Sequence, residues 1–216
     1  MTRLIIIRHA ESALNEQRRI QGHCDSGLTA KGCYQANKLA ERLKKYHIHK
    51  IYSSDLGRAY ATTRVLAQHH NIRIIRDSFL REIHLGDWEG KTPAEVDKLY
   101  NKGYKKWLKK PSSVTIPGSE RISVFRKRVI GRVAKIAKDN PNKTVVIVTH
   151  GGVLTALLSD WLKSDFDHLL LHLDIENTSI TVVEFKEERL RLKTINDASH
   201  LIGIKKYDNS NYHKHS

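Results

Sequence analysis

The sequence predicts an α/β protein: a three-layer α/β/α sandwich around a mostly parallel central sheet, with an inserted lid. Three observations carry this. Four-residue apolar runs rich in β-branched side chains, Leu4–Ile7 and Val145–Val148, suit strands covered on both faces. Stripes of apolar residues at helical spacing lie between the strand candidates, and alternation of the two kinds implies layers joined by right-handed crossovers. The chain has 216 residues, enough for one domain to bury a core without disulfides or metals.

Leu4–Ile7 is the first strand. Thr29 caps a helix running to about Tyr46, with Ala36, Leu39, Ala40 and Leu43 on one stripe. Ile51–Tyr52 is a second strand, and Ser54 or Asp55 caps the helix after it, through about Gln68. Ile72–Ile75 is a third strand, interrupted by Arg73. Residues 91–119 stand apart as the lid. They hold Thr92-Pro93, a helix with Trp107, a patch of Lys102, Lys105, Lys106, Lys109 and Lys110, and then Pro111 and Pro117. A helix from Ser123 to Lys138 turns Val129, Val133, Ile136 and Ala137 inward and stops before Asn140-Pro141. After the strand Val145–Val148, a helix starting past Gly152 buries Val153, Leu154, Leu157 and Leu158. Ser179–Phe185 and Arg191–Asn196 bracket the charged turn Lys186–Arg189 and form a hairpin at an antiparallel edge. The expected organisation is one domain over residues 1–197 and a polar tail over 198–216, loose at its end.

A 39% hydrophobic and 28% charged composition excludes a disordered or collagen-like polymer. No apolar run reaches the ~18 residues of a membrane span. The apolar run of MTRLIIIRHA ends at Ile7, so neither signal peptide nor anchor is expected. Cys24 and Cys33 form no CxxC pair. They are expected as reduced thiols in a cytoplasmic protein, with no structural zinc. The pairs His47/His49 and His69/His70 are expected as surface histidines rather than metal ligands. Lys+Arg 38 against Asp+Glu 23 gives +15, a surface that attracts phosphorylated metabolites, nucleic acid or acidic lipid. With 7% aromatics and no stacking residues interleaved with the basic ones, nucleic acid is not the expected partner.

Two segments echo one another. Ile5-Ile6-Ile7-Arg8-His9-Ala10 and Val146-Ile147-Val148-Thr149-His150-Gly151 each set a histidine just past a buried strand, before a small residue. Parallel strands of an open α/β sheet end at one edge, where ligands bind, so His9 and His150 are expected to meet there. Either histidine alone is more often a capping or satisfied residue. A third strand end, Ile51-Tyr52-Ser53-Ser54-Asp55-Leu56-Gly57-Arg58, adds an arginine in a first helical turn. Unpaired N–H groups there face an anion, and a guanidinium adds a bidentate donor. Arg58 alone also suits a solvated helix face. Arg8, His9, Arg58 and His150 together need an anion, and a phosphoryl group satisfies them.

The stretch from Arg8 to Asn15 resembles the RHGE-x-x-x-N signature of the histidine phosphatase superfamily (phosphoglycerate mutase-like). Arg19-Ile20-Gln21-Gly22 and Asp25 through Gly32 resemble its R-x-Q-G and D-x-x-LT-x-x-G stretch. Ser53 through Ala59 resembles SSDL-x-RA, Leu80-Arg81-Glu82 with Gly86 through Gly90 resembles LRE…G-x-WEG, and Thr149 through Gly152 resembles [ST]HGG. These blocks keep family order over residues 3 to about 158. The resemblance implies that His9 is the nucleophile and carries a phosphohistidine. Arg8, Arg58 and His150 would cradle the phosphoryl oxygens, and Glu82 would give a proton to the leaving alkoxide and then act as base towards water. Asn15, Gln21 and Gly151 would contact phosphate or substrate. The resemblance implies no metal and no cofactor. The chemistry suits these types: phosphate monoesters need ~20 kcal/mol or more of barrier lowering, which a covalent intermediate and preorganised donors supply.

Ala10 replaces the family's glycine and is expected to narrow the pocket slightly. Gly27 replaces a common proline and is expected to loosen a turn. Arg121 replaces serine in the PGGES-like Pro117 through Arg121, which puts that loop's substrate contacts in doubt. The block around Arg19–Gly22 is similar to the phosphatase branch, including broad-specificity and α-ribazole-phosphate phosphatases. The expected activity is hydrolysis of a small phosphorylated metabolite with inorganic phosphate as product, in a monomer or homodimer. A phosphoglycerate mutase is the alternative, and a basic nucleic-acid-binding protein a more distant one. The lysines of the lid either overhang the site or form a solvated helix face.

Overall fold

Six strands form one sheet in the computed structural model, which describes residues 1–186 and 189–202. Strands β1 (Thr2–Arg8), β2 (Lys50–Ser53), β3 (Ile74–Arg76) and β4 (Thr144–Thr149) run parallel to one another. The hairpin of β5 (Ile180–Lys186) and β6 (Arg189–Asp197) joins β1 antiparallel. Spatial order is β3-β2-β4-β1-β5-β6, so β4 lies between β1 and β2.

The period-2 alternation of strand side chains divides the apolar runs between two layers. Leu4, Ile6, Val145 and Ile147 pack with Phe125, Val129, Val133 and Ile136 of α6 (Ile122–Lys138) and with Val153, Leu154 and Leu157 of α7 (Gly151–Trp161). Ile5, Ile7, Val146 and Val148 pack with Leu39 and Leu43 of α2 (Ala30–Leu43) and Ala59 and Leu66 of α3 (Gly57–Ala67). That is the expected sandwich. Each buried Leu or Ile contributes about 1.5–3 kcal/mol relative to exposure. The short helices are α1 (Ala13–Glu16), α4 (Pro93–Leu99), α5 (Gly103–Trp107) and α8 (Phe166–His172).

Element ends differ from expectation for local reasons. α2 stops at Leu43, because Lys44 and Tyr46 donate back to the carbonyls of Glu41 and Leu43 in three-residue turns. β3 starts at Ile74 rather than Ile72, paired with Ile51 and preceded by Asn71 at φ 33. α3 is capped by neither Ser54 nor Asp55. Its first amides, Gly57 and Arg58, donate to the carboxylate of Asp25 from a distant loop, and Asp55 instead holds Arg81 at 2.7 and 2.6 Å. α7 starts at Gly151, with His150 as its N-cap residue. β5 keeps the expected length but sits one residue later, β6 is longer than expected at both ends, and the middle of their turn lies outside the described residues.

Residues 91–119 carry two helices rather than one, and Trp88, Val96 and Ile116 gather a small apolar cluster of their own. The expected tail begins with a short turn, Ser199–Leu201, tied to α2 through Arg42, which donates to Ser199 and Asp197. Residues 203–216 of that tail lie outside the described residues. Cys24 and Cys33 are free thiols. Among the described residues no helix is long and apolar enough to cross a membrane. Leu39 is fully buried between α2 and the sheet. Leu39→Ala is expected to destabilise the fold by about 2–5 kcal/mol, measured by urea unfolding with an unchanged m-value.

Candidate active site

Register brings the two histidines together. Arg8 pairs with Thr149 across β1 and β4, and the His9 amide donates to the Thr149 carbonyl at 2.9 Å. His9 and His150 therefore leave adjacent strands side by side, with ring centroids 5.2 Å apart. On the other side of β4, Ser53 pairs with Val148 and the Ser54 amide donates to the Val148 carbonyl. His9, His150 and Ser54 thus form a row across three strand ends.

His9 is 3% exposed. Its Nδ1 lies 2.7 Å from the carbonyl of Ala10. A carbonyl only accepts, so Nδ1 carries the proton and Nε2 keeps its lone pair. Arg58 donates to that Nε2 from Nε at 3.3 Å. Burial, then Arg58 and Arg8, push the His9 imidazole well below its ordinary range, which keeps it neutral. The backbone is held as well: the Asn177 side chain donates to the His9 carbonyl, and the Ala10 amide donates to Thr62.

Arg58 is 1% exposed. It donates to the carbonyls of Gly22 at 2.8 Å and Cys24 at 3.0 Å and to Asp25 at 3.2 Å. Glu89 fixes the loop that offers those carbonyls, accepting from the amides of His23, Cys24 and Leu85. Gly22 sits at φ 52 in that loop, and a Cβ there would fall 2.0 Å from Glu89. Arg8 donates to the Ile175 carbonyl, while its Nε is buried without a partner among the described residues. Burial lowers the pKa of both arginines from their ordinary value.

A cavity of about 350 Å³ opens over these groups. Arg8, His9, Asn15, Gln21, Arg58, Glu82 and Gly151 line it, which gathers every sequence-predicted site residue except His150 into its wall. His150 lies fully buried behind it, beside His9. The Ser12 hydroxyl lies 3.0 Å from Asn15 Oδ1 and 2.9 Å from Gln21 Oε1 and so ties the two side chains together. Glu82 accepts from the amides of Ile83 and Gly152, both at 3.0 Å. A Cβ on Gly152 would lie 2.4 Å from Glu82 Oε1, so the glycine leaves the space that the carboxylate occupies.

Residues 91–119 contribute Tyr104 and Trp107 to the cavity wall and none of their lysines; Lys102, Lys105, Lys106, Lys109 and Lys110 are exposed. Ala10 is wholly buried and lines none of the cavity, so its methyl does not narrow the pocket. Neither Glu120 nor Arg121 lines it: Glu120 is paired with Arg128 at 2.8 Å, and Arg121 is exposed at the start of α6. Sequence reasoning missed the structural roles of Asp25, Ser54, Glu89 and Asn177. Asp25 and Glu89 stand in the family-like motifs, so their conspicuous acidity was the available signal. Among the described residues no group of three or more His, Cys, Asp or Glu side chains is arranged to hold a metal ion.

The profile of the histidine phosphatase superfamily (branch 1) matches residues 4–198. This chain belongs to that family. Phosphoserine phosphatase 1 of Hydrogenobacter thermophilus is 33% identical over 93% of this chain and 95% of its own length. Among solved structures, Bacillus stearothermophilus YhfR superposes with a TM-score of 0.89 at 35% identity, covering 93% of this chain and 100% of that one. A phosphoserine phosphatase mutant from Entamoeba histolytica, solved in complex with phosphoserine, superposes with a TM-score of 0.82 at 31% identity over 94% of this chain and all of its own.

Two outcomes are expected of this histidine phosphatase site. Gly152→Ala displaces Glu82 while leaving the fold intact: phosphomonoester turnover falls about 10- to 100-fold with the melting temperature nearly unchanged. Stability also responds to acid. His9 and His150 are held neutral in the fold, below the ordinary value of 6.5, so the unfolded chain binds more protons as pH drops through that value. Melting temperature is expected to fall below about pH 6.5, and less steeply in His9→Ala, as calorimetry across that range checks.

Proposed function

We propose that this protein is a phosphomonoesterase that hydrolyses small phosphorylated metabolites through a phosphohistidine on His9, without a metal ion. The observation that carries the reading is a buried His9 whose Nδ1 lies 2.7 Å from a carbonyl and whose Nε2 lies 3.3 Å from Nε of a buried arginine in a cavity, an arrangement that leaves a lone pair on Nε2. Nε2 attacks phosphorus in line, and the ester P–O bond breaks. Glu82 gives its proton to the departing alkoxide. Arg8, Arg58 and His150 take the charge on the equatorial oxygens, with Asn15, Gln21 and the first-turn glycine Gly151 as further donors. Glu82 then takes a proton from water, the water oxygen attacks phosphorus, the N–P bond breaks, and inorganic phosphate leaves.

Names of relatives support a phosphatase more than a mutase. The Entamoeba relative's bound phosphoserine indicates a small phosphorylated ligand. The cavity wall of Trp88, Tyr104, Trp107 and Phe166 suits a substrate with a compact organic part rather than a polymer. The chain acts as a monomer or a homodimer in the cytoplasm on this reading.

His9→Ala is expected to abolish phosphate release from para-nitrophenyl phosphate and to leave no acid-labile phosphoryl adduct after rapid quenching. Near-parent activity would remove His9 from its role. In the same assay Glu82→Gln lowers turnover of alkyl phosphates at least tenfold more than that of the nitrophenyl ester, whose leaving group needs little protonation. Chelators are expected to leave the parent rate unchanged. Interconversion of 3- and 2-phosphoglycerate faster than hydrolysis would favour the mutase.

A further inference from the structure

His150 has two ring nitrogens in very different surroundings. Nε2 lies 2.8 Å from the hydroxyl of Ser54, and Nδ1 is buried with no partner among the described residues. Ser54 is itself fully buried, and its hydroxyl has one other neighbour, the Leu56 amide, which donates to it at 3.3 Å. An amide N–H cannot accept. The single hydroxyl hydrogen therefore has one acceptor among the described residues, Nε2 of His150. The opposite arrangement, with Nε2–H donating to Ser54, would leave a buried hydroxyl hydrogen unsatisfied, which folded proteins avoid.

We propose that Ser54 is a positioning residue for phosphoryl transfer: its hydroxyl donates to Nε2 of His150 and so fixes that ring as an Nδ1–H donor to a phosphoryl oxygen. Burial first, and then Arg58, His9 and Arg8, keep the imidazole neutral. A neutral ring has one N–H, so the choice of nitrogen decides whether Nδ1 of His150 presents a donor or a lone pair. Without Ser54 the proton is free to settle on Nε2, and Nδ1 then turns a lone pair towards the incoming phosphoryl oxygens. In sequence Ser54 looks like a helix cap, but Asp25 has taken that task, and the serine serves the next strand instead.

The inference rests on the phosphatase reading of the site, and two measurements separate them. Long-range proton–nitrogen NMR of the unmodified protein with labelled histidine reports which nitrogen of His150 carries hydrogen, independently of activity. Nδ1–H is expected; Nε2–H in an active enzyme overturns this inference alone, whereas a parent that releases no phosphate overturns the function. Ser54→Ala is expected to lower kcat about 10- to 100-fold with KM within about threefold. In a His150→Ala background the same change is expected to cost less than about twofold, because the serine acts through the ring. Equal losses in both backgrounds, or parental kcat in Ser54→Ala, would reduce Ser54 to a structural part of the turn.

Discussion

Arg58 holds its guanidinium in near-complete burial against two carbonyls, one carboxylate and one imidazole nitrogen. Only the carboxylate carries a full opposite charge, and Asp25 is partly exposed. The arrangement therefore leaves positive potential at the floor of the cavity that neutral dipoles satisfy by hydrogen bonding but do not cancel. Burial first, and then that potential, keep both imidazoles unprotonated, which preserves a nucleophilic lone pair, and the potential favours a dianion above them. Much of the surrounding loop structure serves this one cation. Glu89 gathers three amides so that Gly22 and Cys24 present their carbonyls inward, and Gly22 adopts a left-handed conformation to do so.

The sheet supplies the second constraint. A register match between β1 and β4 fixes the two histidines at one height, and β2 on the far flank brings the serine to the same line. The strands are buried on both faces, so a slip in register would turn apolar side chains of one layer into the other and disrupt both halves of the core. The positions of the reacting groups are thus tied to the packing energy of the whole sandwich.

Much of this was legible in the sequence because it depends on short-range patterns. The runs Leu4–Ile7 and Val145–Val148 announce strands, and each ends in a histidine; Ile51–Tyr52 ends near an arginine. What escaped depends on long-range partners. Ser54 and Asp55 carry ordinary capping chemistry, and nothing local says that Asp25 will cap the helix in their place. The lysines near Trp107 form a conspicuous patch, yet the backbone turns Tyr104 and Trp107 inward and leaves the charges outside. Asn177, which holds the backbone of His9, precedes the hairpin by a few residues in a stretch with no periodicity to mark it.

The aromatic wall has an optical consequence. Trp88 and Trp107 stand 5.8 Å apart, both bordering the cavity, whereas Trp161 lies elsewhere against Phe185. Two of the chain's three indoles therefore border whatever fills the cavity. The protein carries its own fluorescent gauge of occupancy, readable without a coupled assay or an added dye.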